Sequence, residues 1–221
     1  MRTPLTNCPT KAKSRVKSII EPWKVLTGKD AVPLSQCYVT LCGPMSNGKG
    51  RLLPNCELLQ LTQEGFIAPD QFHGIERDET VWRDNLSAVE STFTGRRKPH
   101  LHDPEDLLTV LGRMLRMKKR VAVLNIDLQV GPKEGIWFLT RALSMLNTAS
   151  DHPGLVVWNV IVKSPYRSRD MAPDMEAVLR GHPRFERARR RGRWESPRQV
   201  RYRRAHTTMH SLVLCREGAA R

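Results

Sequence analysis

Tyr38-Val39-Thr40-Leu41-Cys42-Gly43-Pro44 opens the stretch, closing at Asp127, whose reading decides the fold. A short, mostly apolar run meets a glycine turn, and a helix is predicted to open after Pro54. The same unit then recurs. Gln71-Phe72-His73-Gly74-Ile75 leads into Glu76-Arg77-Asp78 and a helix striped with Val81, Trp82, Leu86 and Val89. His100-Leu101-His102 leads into Asp103 and a third helix, and Arg120-Val121-Ala122-Val123-Leu124 leads into Asn125-Ile126-Asp127. Strands alternating with helices specify a parallel sheet, and in open parallel sheets ligands bind beyond the carboxyl ends of the strands. The polar residues that end the strands are therefore expected to line one crevice.

Working outward, Ile136, Trp137, Leu139, Leu143 and Leu146 mark a further helix, and Gly154 to Val162 is almost wholly apolar, as a strand covered on both faces must be. Ser211-Leu212-Val213-Leu214-Cys215 reads as a closing strand antiparallel to Gln199 to Arg204. Upstream, Val16, Ile19, Ile20 and Trp23 recur at helical spacing among Lys11, Lys13, Arg15 and Lys17, with Pro22 expected to end or kink the helix. The fold class is α/β, a Rossmann-like mostly parallel sheet with helices on both faces and an antiparallel last strand. A chain of 221 residues holds one such domain, residues 37–221, preceded by a basic helical extension, residues 1–36.

Charge is the unusual property. Lys and Arg number 37 against 22 Asp and Glu, a formal net charge of +15, which attracts polyanions, nucleic acid before acidic membrane. Cys8, Cys37, Cys42, Cys56 and Cys215 are an odd number without CxxC spacing, which suggests neither a zinc ribbon nor a disulfide framework and fits a reducing compartment. No apolar run approaches the length of a membrane span, and the first residues lack the apolar core of a signal peptide, so a soluble cytoplasmic protein is expected.

The loop from Gly43 to Arg51 is glycine-rich and basic, followed by Asn55 as an expected helix cap with Glu57 just inside. Backbone amides at such a turn can hold a phosphate or carboxylate, or simply reverse the chain. Gly48-Lys49 runs into Gly50 rather than Ser or Thr, so no P-loop is formed, and the glycine spacing is not that of a dinucleotide fingerprint. Glu76 is delivered at a strand tip directly after this turn and its helix. There an ionised carboxylate can accept both hydroxyls of a ribose, or it can serve solubility alone. Asp78 is expected to cap the following helix. Asp103, before Pro104, can cap the next one or face the crevice. His100 and His102 share a strand face, yet no third ligand is evident in sequence, so no metal is expected.

The order of glycine turn, helix, strand ending in an acid, helix, strand ending in Asp103, helix, strand ending in Asn125-Ile126-Asp127 resembles the Rossmann-like class I S-adenosylmethionine-dependent methyltransferases. The resemblance covers residues 38–163 and implies S-adenosylmethionine as cofactor. It implies Cys42, Gly43 and Pro44 at the methionine part, Glu76 at the ribose and Asp103 at the adenine, with Glu57 and Arg77 also binding the cofactor. It also implies Asn125 and Asp127 as the catalytic, substrate-facing residues. The pattern departs from that family in two places. The family's acid in the first strand and its close run of glycines are missing, and Gly43 to Glu76 is about a dozen residues longer than the usual spacing of roughly 20, with the excess in residues 45–53. The Asn or Asp followed by Pro-Pro and an aromatic, which serves amino methylation in that family, is also absent.

From Arg184 to Arg204 arginine is concentrated, with Trp194 and Tyr202 interleaved as flat faces for bases. Arg189, Arg190, Arg191 and Arg193, with Lys163 and Arg167 in the basic turn after the fifth strand, are the candidate nucleic-acid contacts. Two functions follow from these features. One is a methyltransferase acting on RNA or DNA; the other is a non-catalytic nucleic-acid-binding or assembly protein that keeps the fold with a degenerate pocket.

Overall fold

The computed structural model describes residues 9–127, 132–148, 154–161, 175–204 and 207–216. Seven strands form one sheet: β1 (Gln36–Leu41), β2 (Phe72–Ile75), β3 (His100–Leu101), β4 (Arg120–Ile126), β5 (Gly154–Ile161), β6 (Arg198–Arg204) and β7 (Thr207–Arg216). Their spatial order is β3-β2-β1-β4-β5-β7-β6. β1 to β5 pair in parallel, whereas β7 runs antiparallel to both β5 and β6, as the sequence led us to expect. The order reverses between β1 and β4, the switch point where open α/β sheets bind ligands.

Alternate residues of each strand feed two cores. Tyr38, Val123, Val157 and Val213 pack with Trp23, Leu58, Leu61 and Phe66 on one face. Val39, Leu124, Val156, Trp158 and Leu212 pack on the other with Leu111, Leu139, Leu143 and Phe185. The first face is covered by α1 (Pro9–Arg15), α2 (Glu21–Thr27), α3 (Glu57–Gln63) and α4 (Glu79–Thr92). The second is covered by α5 (Leu107–Arg116), α6 (Pro132–Asn147), α7 (Met175–Arg180) and α8 (Pro183–Arg191). None of the described helices is long and apolar enough to cross a membrane.

One local expectation is corrected, at Asn55, and two that offered alternatives, at Pro22 and Asp103, are narrowed. Pro22 does not end the first helix: a wide π turn, Val16–Ile20, precedes it and the chain stays helical to Thr27. One extra residue in the turn accommodates the missing N–H without breaking the helix. Asn55 is not the cap of α3, which begins after Cys56. Asp103 does not cap α5 either; Asp106 does, accepting from the Leu108 and Thr109 amides at 2.9 and 3.0 Å. Asp78 caps α4 as expected, through the Thr80 and Val81 amides.

α6 approaches the sheet closely because Gly135 has no side chain where the Trp158 ring of β5 lies against it. A Cβ there would fall inside the indole. Gly135→Ala is accordingly expected to lower stability by about 1–3 kcal/mol despite alanine's better helix propensity, because the fully buried Trp158 has to shift. Urea unfolding of the variant checks it; a neutral or stabilising result would mean that α6 stands further off.

Candidate active site

The carboxyl ends of β1, β2, β3 and β4 lie side by side. Leu41 is in register with Ile75, Gly74 with Leu101, and Thr40 with Asn125. The residues that follow these strands, Cys42-Gly43, Glu76, His102-Asp103 and Asp127, therefore share one edge of the sheet.

At β1 the chain leaves through a turn that only glycine enters freely, with Gly43 at φ 52°. Cys42 is buried and hydrogen-bonds the Ile75 carbonyl through its amide at 3.1 Å. Burial first, then the nearby Glu76 and Glu57 carboxylates, push its thiol far above the ordinary range, so its side chain is a packed hydrophobe and its backbone alone borders the turn. Pro44 is half-buried. The turn is held by Asn85 of α4, which is 1% exposed. Its Oδ1 accepts the Met45 amide at 2.7 Å and its Nδ2 donates to the Gly43 carbonyl at 2.7 Å. The reading of the sequence missed Asn85. The available signal is an Asn on the buried stripe of a helix, four residues from both Val81 and Val89.

The extra residues after Gly43 are ordered. Ser46 bridges Leu52 as a small antiparallel hairpin, Met45 and Leu52 are buried, and Ser91 of α4 donates to the Gly50 carbonyl at 2.6 Å. The insertion thus packs along α4.

At β2, Glu76 is half-buried and accepts the Asp78 amide at 2.9 Å, which turns the chain into α4; Arg77 is exposed. At β3, the His102 amide donates to the Gly74 carbonyl at 3.0 Å, extending the ladder, and Asp103 follows exposed and outside the helix cap. Asp127 is half-buried beyond the end of β4. Below this edge His73 stacks on His100 and His102, with ring centroids 4.6 and 5.3 Å apart, and its Nδ1 lies 3.0 Å from His102 Nε2. The rings lie face to face instead of converging, and among the described residues no His, Cys, Asp or Glu group has a metal-holding arrangement.

Asn125, expected to face the substrate, and Glu57, expected to bind the cofactor, are interior. Asn125 is 1% exposed and Glu57 4% exposed. Asn125 Nδ2 donates to both Glu57 oxygens at 3.0 and 3.1 Å, and its Oδ1 accepts from Asn159 at 2.8 Å. Tyr38 also donates to Glu57, Arg15 Nε lies 3.5 Å from Glu57 Oε2, and Ser211 donates to Asn159. Burial first, then Glu57, raise the Tyr38 hydroxyl well above its ordinary range. Asn125 and Glu57 therefore tie β1, β4, β5 and β7 together beneath the edge. β1, Gln36–Leu41, carries no acid, unlike the first strand of the resembled family, and Asn125 joins Thr40 of β1 to the Glu57 carboxylate of α3.

The arginine segment also divides. Arg189 is structural: it grips Glu186 through two nitrogens at 2.9 Å and donates to the Trp194 carbonyl at 2.7 Å. The Arg189 hydrogen bonds are the main cause that holds the Glu186 carboxyl below its ordinary value. Trp194 is 2% exposed, with its Nε1 on Asn147 and the Arg216 guanidinium over its ring, so it offers no face to a base. Arg190, Arg191 and Arg193 are exposed, with Arg190 paired to Glu186. Lys163 and Arg167 lie outside the described residues, as does the Tyr202 side chain.

No protein-family model matches the chain, and no curated protein sequence does. Solved structures do. The magnesium protoporphyrin IX methyltransferase ChlM from Synechocystis, with bound S-adenosylmethionine, superimposes with a TM-score of 0.51 at 10% identity over 94% of this chain and 80% of its own. An S-adenosylmethionine-dependent methyltransferase from Clostridium acetobutylicum gives 0.51 at 11%, over 94% and 92%. TrmN from Thermus thermophilus gives 0.53 at 13%, over 92% of this chain and 47% of its own. Strand order, the reversed β7 and these superpositions agree: the chain has the Rossmann-like fold of the class I S-adenosylmethionine-dependent methyltransferases.

Proposed function

We propose that the protein is an S-adenosylmethionine-dependent methyltransferase that acts on nucleic acid. The observation that carries this reading is the row of acids, Glu76 and Asp103, on adjacent strand tips beside the Gly43 turn at the switch point of the sheet. These residues suit an adenosyl group. Glu76 would accept the ribose hydroxyls, Asp103, free of helix capping, would meet the adenine amino group, and Gly43 would let backbone approach the methionine part. When bound, the cofactor supplies an electrophilic methyl group. The chain's part is to hold an acceptor in line with it, since orientation supplies much of the barrier reduction. Asp127, on the same edge, would orient the acceptor or take its proton. The formal net charge of +15 supports a polyanionic substrate.

The broken glycine motif and the lack of an acid in β1 favour the second reading, a nucleic-acid-binding protein that has kept the fold and lost the cofactor. Calorimetry with S-adenosylhomocysteine separates the two. We expect binding, weakened about 10- to 100-fold by Glu76→Ala, the loss of one or two hydrogen bonds to a charged acceptor. A folded sample that takes up no ligand at high micromolar concentration removes the enzyme and leaves the binding protein.

A further inference from the structure

We propose that the groove between α6 and α8 is the track for a single-stranded segment of the nucleic-acid substrate, its phosphates held by arginines and one base stacked on Trp137. This rests on the reading of nucleic acid as the substrate. The groove has a volume of about 820 Å³ and is lined by Trp137, Arg141, Arg184, Arg187 and Arg191 among others. Arg184, Arg187 and Arg191 stand at i, i+3 and i+7 of α8 and so form one stripe; Trp137 and Arg141 stand at i and i+4 of α6 opposite it. Among the described residues no Asp or Glu lines the groove. The acid of α8, Glu186, is turned elsewhere and occupied by Arg189 and Arg190. Four guanidiniums along one groove, with no described acid in its lining, form a site for successive phosphates.

Trp137 makes the inference specific. It is 50% exposed, the most open tryptophan among the described residues, and it sits edge-on to Phe138 at 5.1 Å. The Arg141 guanidinium lies 5.7 Å from the ring centroid, so a base laid on the indole would also meet a cation. An exposed flat face can stack only on a base that has left its own stack, which a duplex does not offer. Placement agrees with the chemistry. α6 leaves the sheet edge that carries Asp127 and runs to the edge where β5 begins, so the Trp137 end of the groove is the end nearer the candidate active site.

The test is fluorescence anisotropy of end-labelled twelve-nucleotide RNA, the same sequence as single-stranded DNA, and its DNA duplex, across a salt series. The proteins are the parent, Trp137→Ala, and the triple variant Arg184→Gln, Arg187→Gln, Arg191→Gln; all four substituted side chains are exposed. The parent is expected to bind single strands more tightly than duplex. The triple variant should bind more than tenfold more weakly, with a salt slope shallower by about 2, the release of roughly three counterions at about 0.7 each. Trp137→Ala should weaken single-strand binding roughly 5- to 100-fold and leave duplex binding unchanged. A preference for RNA over DNA in the first two arms identifies the substrate class. The proposal is overturned if the triple variant binds like the parent, or if duplex is preferred and Trp137 makes no difference. S-adenosylhomocysteine calorimetry on the same preparations keeps the two readings apart. Oligonucleotide binding without cofactor binding leaves the groove and removes the methyltransferase, and cofactor binding without oligonucleotide binding does the reverse.

Discussion

Arg15→Met should lower the free energy of unfolding by about 3–5 kcal/mol, although Arg15 lies at the end of a basic N-terminal helix that sequence alone marks as a surface element. Arg15 is 4% exposed and sets its guanidinium against the Glu57 carboxylate, itself 4% exposed, while its Nη1 donates to the Asn55 carbonyl and Gln60 Oε1, both at 3.0 Å. Among the described residues Arg15 is the cation paired with Glu57. Methionine fills the same channel without charge and leaves a carboxylate in a region walled by Leu58, Cys56 and Tyr38, with neutral donors alone. Glu57 lies in the first turn of α3, where the helix dipole favours an anion, but that effect, about 0.3–1 kcal/mol, is too small to replace a buried counter-charge. Removing both charges avoids stranding either. The double variant Arg15→Met, Glu57→Gln should therefore recover at least half of the loss, because the amide keeps contacts to Tyr38 and Asn125 and buries no net charge. Urea titrations of the three proteins decide it. A single variant within 1 kcal/mol of the parent would show that Arg15 is solvated and that the network below the strand tips is not closed.

The same network explains what sequence could and could not disclose. The strands were legible because β1, β4 and β5 are apolar on both faces, a pattern that only a covered parallel sheet produces. The reversal of β7 was legible because two strand-like runs stand too close together for a crossover helix. The acids at the tips of β2 and β3 were legible by position. Depth was not. Asn125 and Glu57 occupy a strand end and a helix start, places that serve equally for a rim or an interior, and their buried partners, Asn159 for Asn125 and Arg15 for Glu57, are distant in sequence. Asp103 and Asp106 both satisfy the start rules for α5, and the choice fell to Asp106, whose helix begins with the buried Leu107. The arginine run read as one uniform face, yet helical spacing turns Arg189 inward onto Glu186 and sends Arg184, Arg187 and Arg191 outward. The exposed tryptophan belongs to a different helix from the one that the run suggests.

Acid should destabilise the fold well before its carboxylates titrate. His73 is buried in β2 between His100 and His102, and burial first, then the charges of His100, His102 and Lys119, lower its pKa to about 3. In the unfolded chain the same group titrates near 6.5. The folded value is the lower one, so the stability held by neutral His73 is complete above about pH 6.5 and is lost progressively as pH falls from there towards 3. Each pH unit inside that window costs up to about 1.4 kcal/mol, so the step from pH 7 to pH 5 should remove about 2 kcal/mol. His102, also lowered chiefly by burial, acts in the same direction. Asp106 and Glu186, whose values are lowered by hydrogen bonds from Thr109 and Arg189, begin to contribute only below the carboxylate range, which leaves the interval above pH 5 to the histidines. His73→Asn keeps a polar atom towards His102 and cannot titrate; its stability should change between pH 7 and 5 by less than half as much as the parent's. Equal urea midpoints for the parent at the two pH values would refute a neutral buried His73. The location adds a local signature. The stack joins β2 to the two-residue β3, the strands that carry Glu76 and Asp103, so the amide protection factors, taken relative to the intrinsic exchange rate at each pH, should fall at Leu101 and His102 on acidification before those in β4 do, and the candidate cofactor edge should loosen there first.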